Sequence, residues 1–234
     1  MEHLLKEKLA EPRMGSGGET ALHRLAQCTF SEDRGAAAAA MAEILLQSGA
    51  TVDALNFREL TPLLVAVCKG NIGIAEILLK NGADVNVTGV CIPMLHFASI
   101  GMDPADGAMH ELLIQHGADI NSRDFRGCCH PREAPLHEAA SRGCLGGIRV
   151  LVRYGADLNA RDLCQSTPLH KAVRNGSNGF VDALIPYGAE VNVCEKRMCQ
   201  TPLQSAALRI GSGWDSEGCH SVESLMSVPP RFIV

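Results

Sequence analysis

Aromatic residues are scarce. Phe, Trp and Tyr make up 4 % of the 234 residues, while apolar residues as a whole make up 46 %. A core made almost without rings has to be built from Ala, Leu, Ile and Val, and such side chains suit thin, stacked helices better than one thick globule. No apolar run of about 20 residues occurs, so no membrane span and no membrane partner are expected. Met1 to Pro12 mix Glu and Lys with Leu and hold no apolar stretch, so no secretory signal is expected either. The net charge of −5 offers none of the basic excess that supplies most nucleic-acid affinity, which argues against a nucleic-acid partner.

The motifs of catalysis and metal binding are also missing. There is no Gly-x-Ser-x-Gly elbow, no phosphate-binding loop and no His-Glu-x-x-His helix, so no catalytic residue, no enzymatic activity and no cofactor are expected. The chain has ten cysteines but no Cys-x-x-Cys pair. The nearest features are Cys128-Cys129-His130 and Cys194 with Cys199, a poor match to zinc spacing, so no metal site is expected. Cysteines scattered in a chain with no apolar leader read as thiols in a reducing compartment, that is the cytoplasm, the nucleus or both.

What the chain does have is internal repetition. The dipeptide Gly-Ala recurs at Gly49, Gly82, Gly117, Gly155 and Gly188, three of the intervals being 33, 35 and 38 residues. An apolar stretch such as Ile77-Leu78-Leu79 or Val150-Leu151-Val152 precedes it, and a segment such as Asp84-Val85-Asn86 or Asp157-Leu158-Asn159 follows. Upstream lies a second marker: Thr20 to His23, Thr61 to Leu64, Pro93 to His96, Ala134 to His137, Thr167 to His170 and Thr201 to Gln204.

The second unit shows what each piece does. Thr61 has a hydroxyl that can cap a helix, and Pro62 fits the first helical position, where its missing N–H costs nothing. Leu63, Ala66 and Val67 give that helix an apolar face, and Lys69-Gly70-Asn71 breaks it. A second helix is predicted over Ile72 to Lys80. Gly82 then ends it in a left-handed conformation that other residues adopt at a cost. One such unit buries too little to stand alone, so units have to stack and cover one another.

The Thr-Pro-Leu-His marker, the Gly-Ala-Asp-Val-Asn marker and the 33-residue period together resemble ankyrin repeats. The resemblance covers about residues 19–208. It implies an all-α solenoid of stacked helix–turn–helix units with protruding β-hairpin loops. The units are placed at about 19–55, 58–88, 91–124, 131–162 and 164–195, with a partial unit at 198–208. Residues 1–18 read as an N-terminal segment and linker, and 209–234 as an irregular tail. The family's usual work is protein recognition by hairpin tips and the concave face of the inner helices.

The chain departs from the pattern in places. Extra residues between Cys28 and Met41 include Ser31 to Arg34 and the run Ala36 to Ala40. The alanines are expected to extend a helix, and the remainder to lengthen the inter-helix loop. The third unit carries extra residues around Gly101 to Asp106, and the connection after Asp124 is long, running through Phe125 to Glu133. Long loops in compact arrays are often functional. The sixth unit begins well at Thr201 but runs into a Gly- and Ser-rich stretch, so only a frayed helix is expected there, as in a truncated or alternative product of a longer array.

His23, His96, His137 and His170 share one repeat position. One residue per unit of a linear stack cannot converge on an ion; in the ankyrin family this histidine ties the helix start to the hairpin. The candidate partner-binding residues are instead at the tips: Phe57, Arg58 and Leu60; Arg123, Phe125, Arg126, His130 and Arg132; Arg161 and Leu163; Lys196, Arg197 and Met198. Arginine and large apolar groups dominate interface hot spots. The tips read as slightly basic on an acidic chain, which fits a protein partner with an acidic, partly apolar segment. The function expected is therefore that of a non-enzymatic scaffold or adaptor. The alternative is a substrate-recognition subunit of a ubiquitin ligase, although the leucine-rich SOCS box such chains carry is not seen after the repeats. The family resemblance also implies that Asn86, Asn121, Asn159 and Asn192 are candidate substrates of an asparaginyl hydroxylase.

Overall fold

The computed structural model describes residues 18–28, 32–87, 92–100, 107–125, 132–176, 178–196 and 199–211. Among the described residues there are eleven helices and no strand, so the chain is all-α. They fall into two compact units. One comprises Met1–Pro104 and Ala108–Asp119, the other Ala105–Gly107 and Ile120–Val234.

The first unit holds α1 (Ala21–Gln27), α2 (Glu32–Gln47), α3 (Pro62–Lys69), α4 (Ile72–Lys80), α5 (Met94–Ile100) and α6 (Ala108–Gln115). The local rules act as the sequence implies. Thr61 Oγ1 accepts the N–H of Leu64 at 3.2 Å and Pro62 opens α3. Asn71 Oδ1 accepts the N–H of Ile74 at 3.3 Å and starts α4, and Gly82 follows that helix with φ of 84°. First helices pack on first helices, α1 on α3 and α3 on α5, while α2 packs on α4. Leu22, Leu63, Ile74, Leu78, Leu95 and Leu113 are fully buried at these junctions. Each such side chain contributes about 1.5–3 kcal/mol.

The second unit holds α7 (Pro135–Arg142), α8 (Leu145–Arg153), α9 (Pro168–Asn175), α10 (Asn178–Leu184) and α11 (Pro202–Gly211). Here α9 packs between α7 and α11, and α8 against α10. Leu136, Ile148, Leu151, Leu169 and Leu184 fill the core, and Phe180 is the one buried aromatic among the described residues.

Three expectations need correction. The extra residues of the first repeat go mainly into helix, not into a longer loop: α2 begins at Glu32 and runs for 16 residues against nine in α4. Ala is the best helix former, and Ala38 and Ala42 bury themselves on its inner face. The inter-repeat loops form no β-hairpin among the described residues. The sixth repeat is not simply frayed. Thr201 Oγ1 accepts the N–H of Gln204 at 3.3 Å and Gln204 Oε1 accepts the N–H of Thr201 at 2.9 Å. This reciprocal pair, with Gln in the place histidine holds elsewhere, starts a ten-residue helix.

Two glycines mark opposite extremes of tolerance. Gly107, in the second unit, has φ of 78°, and a Cβ there would lie 2.5 Å from the carbonyl oxygen of Gly146. Gly73 lies in α4 with nothing within 4 Å of a Cβ. Gly107→Ala is expected to destabilise by more than about 2 kcal/mol through clash and left-handed strain. Gly73→Ala is expected to stabilise by about 0.5–1 kcal/mol. Urea unfolding of the two variants checks both signs.

Candidate partner-binding surface

The loops are built on a recurring polar base. In the first unit Asn56 is buried; its N–H donates to the Leu60 carbonyl at 3.1 Å, and its Oδ1 accepts the N–H groups of Arg58 at 2.9 Å and Leu60 at 3.1 Å. In the second unit the Asp162 N–H donates to the Ser166 carbonyl at 3.1 Å, and Asp162 Oδ1 accepts the Ser166 N–H at 2.8 Å. Asp124 and Glu133 repeat the arrangement, with Asp124 Oδ1 accepting the Glu133 N–H at 2.6 Å. These turns need a left-handed residue just before their closing partner, and Glu59, Arg132, Gln165 and Cys199 fill that place with φ of 58°, 51°, 58° and 50°.

The fourth loop is built differently. Glu195 stands where Asn56 and Asp162 stand, one methylene longer. Its N–H closes the turn on the Gln200 carbonyl at 3.0 Å, while its carboxylate leaves the turn, accepts the Ser166 hydroxyl at 2.8 Å and pairs with the Arg174 guanidinium. Burial pushes the Glu195 carboxyl up, but the Ser166 hydroxyl and Arg174 outweigh it and hold it below the usual carboxylate range. Lys171 does the same service nearby, with Nζ 2.5 Å from Glu133 and 3.1 Å from Asp162. Burial pushes its ammonium down, and the two carboxylates reverse that and raise it.

Buried histidines join three of the helix starts to the following loop. His23 Nε2 lies 2.8 Å from the Leu60 carbonyl, His137 Nε2 3.0 Å from that of Ser166, and His170 Nε2 3.1 Å from that of Gln200. The opposite ring nitrogen accepts the backbone N–H of Thr20, Ala134 and Thr167, each at 3.2 Å. Nδ1 is therefore the acceptor and Nε2–H the donor, which requires a neutral ring. At His96 the corresponding residue is Pro93, which has neither an N–H nor a hydroxyl to give. His110 is also buried, against the Ser99 hydroxyl at 3.0 Å, so it is not a surface residue.

The four asparagines singled out from the sequence stand between loops. Asn86 Oδ1 accepts the Asp119 N–H at 3.2 Å and its amide donates to the Gly117 carbonyl at 3.0 Å. Asn121 Oδ1 accepts the Asp157 N–H at 3.0 Å, and Asn159 Oδ1 the Glu190 N–H at 2.8 Å. Asn192 is exposed. Three of the four thus already serve as rungs tying one loop to the next.

The predicted binding residues separate on this frame. Phe57, Phe125 and Leu163 are 71 %, 59 % and 51 % exposed. Phe57 nevertheless covers Gly18, whose position has no room for a Cβ beneath the ring. Arg58, Arg132, Arg161 and Lys196 are exposed, and the Arg132 guanidinium lies over the Phe125 ring, 5.1 Å from its centroid. Leu60 and Arg123 are half-buried and belong to the frame: Leu60 closes its turn, and Arg123 donates to the Arg161 carbonyl at 3.0 Å. Arg126, His130, Arg197 and Met198 lie outside the described residues. The burial of Asp162 and Glu195 under Lys171 and Arg174 was missed in the sequence. The signal available was the i, i+3 spacing of two cations on α9.

Burial pushes His137 down to about 4 from 6.5; the Ser166 carbonyl and Asp162 act the other way. Burial also lowers His170. The folded protein therefore binds fewer protons than the unfolded chain between pH 6.5 and about 4. This contribution is fully present above that window and is lost as pH falls through it, by on the order of 3 kcal/mol for His137. Urea unfolding across the window is expected to show that loss. His137→Gln with His170→Gln is expected to flatten it, since Gln does not titrate and Gln204 already makes the helix-start bonds in the sixth repeat.

The comparisons with known proteins agree with this architecture. A family model described as ankyrin repeats (3 copies) matches residues 1–89 and 136–213. The B-cell lymphoma 3 protein homolog of Mus musculus is 33 % identical over 101 residues, which are 42 % of this chain and 20 % of that protein. The chain thus matches about a fifth of the length of that curated relative. The crystal structure of the human ASB11 ankyrin repeat domain superposes with a TM-score of 0.72 at 21 % identity, covering 98 % of this chain and 92 % of that one. The chain belongs to the ankyrin-repeat family.

Proposed function

We propose that this protein is a scaffold or adaptor that grips another protein through its loop tips. Ankyrin repeats are a protein–protein interaction fold, and this is the coarse function of the chain. The observation that carries the finer reading is the pairing of exposed large side chains with loop bases closed by buried hydrogen bonds. Phe125 and Leu163 stand in water on turns closed by Asp124 and Asp162. Exposed rings and branched chains on a pre-ordered frame lose little entropy on binding, which is the condition for a hot spot. The ligase reading has no comparable support, because the likeness to the ASB11 domain carries the fold alone.

Phe125→Ala combined with Leu163→Ala is expected to cost about 1–3 kcal/mol of partner affinity, or tenfold or more. The melting midpoint should hardly move, since neither side chain is in the core. Affinity capture beside thermal melting checks both, and an unchanged set of captured proteins would move the site to the inner helices.

We also propose Asn86, Asn121, Asn159 and Asn192 as substrates of an asparaginyl hydroxylase. Intact-mass analysis after treatment with such an enzyme should show addition of one oxygen; its absence ends that reading.

A further inference from the structure

We infer that the loop face of the second unit takes an acidic, extended peptide segment with interleaved apolar residues; this rests on the tip-binding reading above. The carrying observation is where the charges of the tips go. Asp124, Glu133, Asp162 and Glu195 are all buried. Each is spent inside the protein: Asp124 on the Glu133 N–H, Glu133 and Asp162 on Lys171, and Glu195 on Ser166 and Arg174. The exposed charges of the same described tip segments are Arg132, Arg161 and Lys196, all positive. Farther from the turns the same loops expose Asp157 and Glu190, so the positive excess is confined to the turns themselves.

Two more features suit a linear segment. Neighbouring loops are stitched together, Arg123 Nη1 to the Arg161 carbonyl at 3.0 Å and the Lys196 N–H to the Cys164 carbonyl at 2.8 Å. The backbones that carry Arg132, Arg161 and Lys196 are therefore tied from loop to loop. Phe125 and Leu163 are exposed on the same stitched loops and offer apolar contact beside the charges. The Arg132 guanidinium, resting on the Phe125 ring, is held before any partner arrives. In the first unit the described tip exposes Arg58 beside Glu59, so its charges cancel. A nucleic acid would also seek cations, but the whole chain carries −5, which repels a long polyanion outside the turns.

The test is fluorescence anisotropy on the full chain with three labelled probes: a peptide alternating Glu or Asp with Leu, the same peptide with Lys for each acid, and a single-stranded oligonucleotide. The acidic peptide should bind, weaken as salt rises, and lose about tenfold in affinity on Arg132→Glu with Arg161→Glu and Lys196→Glu. Arg149→Glu, exposed on α8 away from the tips, should leave it within about twofold, and the three neutral changes to Gln should give an intermediate loss, which separates charge from misfolding. Tighter binding of the lysine peptide or the oligonucleotide would overturn the inference. So would an acidic peptide indifferent to the triple reversal. If that happens while Phe125→Ala with Leu163→Ala still strips captured partners, the acidic specificity fails and the tip reading stands. If the charges govern the peptide but the apolar changes leave captured partners in place, the tip reading is the one that fails.

Discussion

A buried neutral histidine donating to the carbonyl of the next repeat's loop is the bond on which the rest of this structure depends. His23, His137 and His170 each make it, and each ring also accepts the N–H at its own helix start. The pair of bonds fixes the entry of one helix and the height of the following loop at once. Without it the loop would hang from its helices by two ends. With it, the turn carbonyl is satisfied away from water, and the short helices can stack with small aliphatic side chains between them. Burial lowers the pKa of His137 and His170, which is why acid works against this fold.

The loop frame extends that bond sideways. Asn56, Asp124 and Asp162 close their turns from within, and Asn86, Asn121 and Asn159 lash each loop to its neighbour. Removing one rung would leave a backbone N–H short of a partner and loosen the tip beyond it. Because the polar atoms of the base are used up internally, little is left at the tip except the outward side chains. On the proposed reading, recognition falls to Phe125, Leu163 and the neighbouring arginines and lysine. A stiff frame with a changeable rim is how one fold can serve many partners.

Much of this was legible in the sequence because it is local. Thr61-Pro62, Gly70 and Gly82 mark the ends of α3 and α4, and the shared place of the four histidines foretells the tie to the loop. The rest depends on distance in the chain. Nothing local says that Lys171 and Arg174 turn inward to Glu133, Asp162 and Glu195, since Glu133 and Asp162 lie in the preceding repeat and Glu195 lies 21 residues beyond Arg174. Tip charges counted in one dimension therefore understate the positive face. The β-hairpin expected from the family is reduced in the described loops to short turns closed by single backbone bonds, such as Asn56 N–H to the Leu60 carbonyl and Asp162 N–H to the Ser166 carbonyl. Phe57 reads as a free tip only until Gly18 is seen beneath it.

The account stands or falls on the loops being ordered in the unbound protein. Hydrogen exchange of the free chain, resolved to single amides, tests this most directly. The N–H groups of Leu60, Glu133 and Ser166, all donated into loop bases, should be protected nearly as well as those inside α3 and α9. Exchange of these amides at the rate of an unstructured chain, with the helices still protected, would contradict the account and make the tips flexible arms that order only on binding.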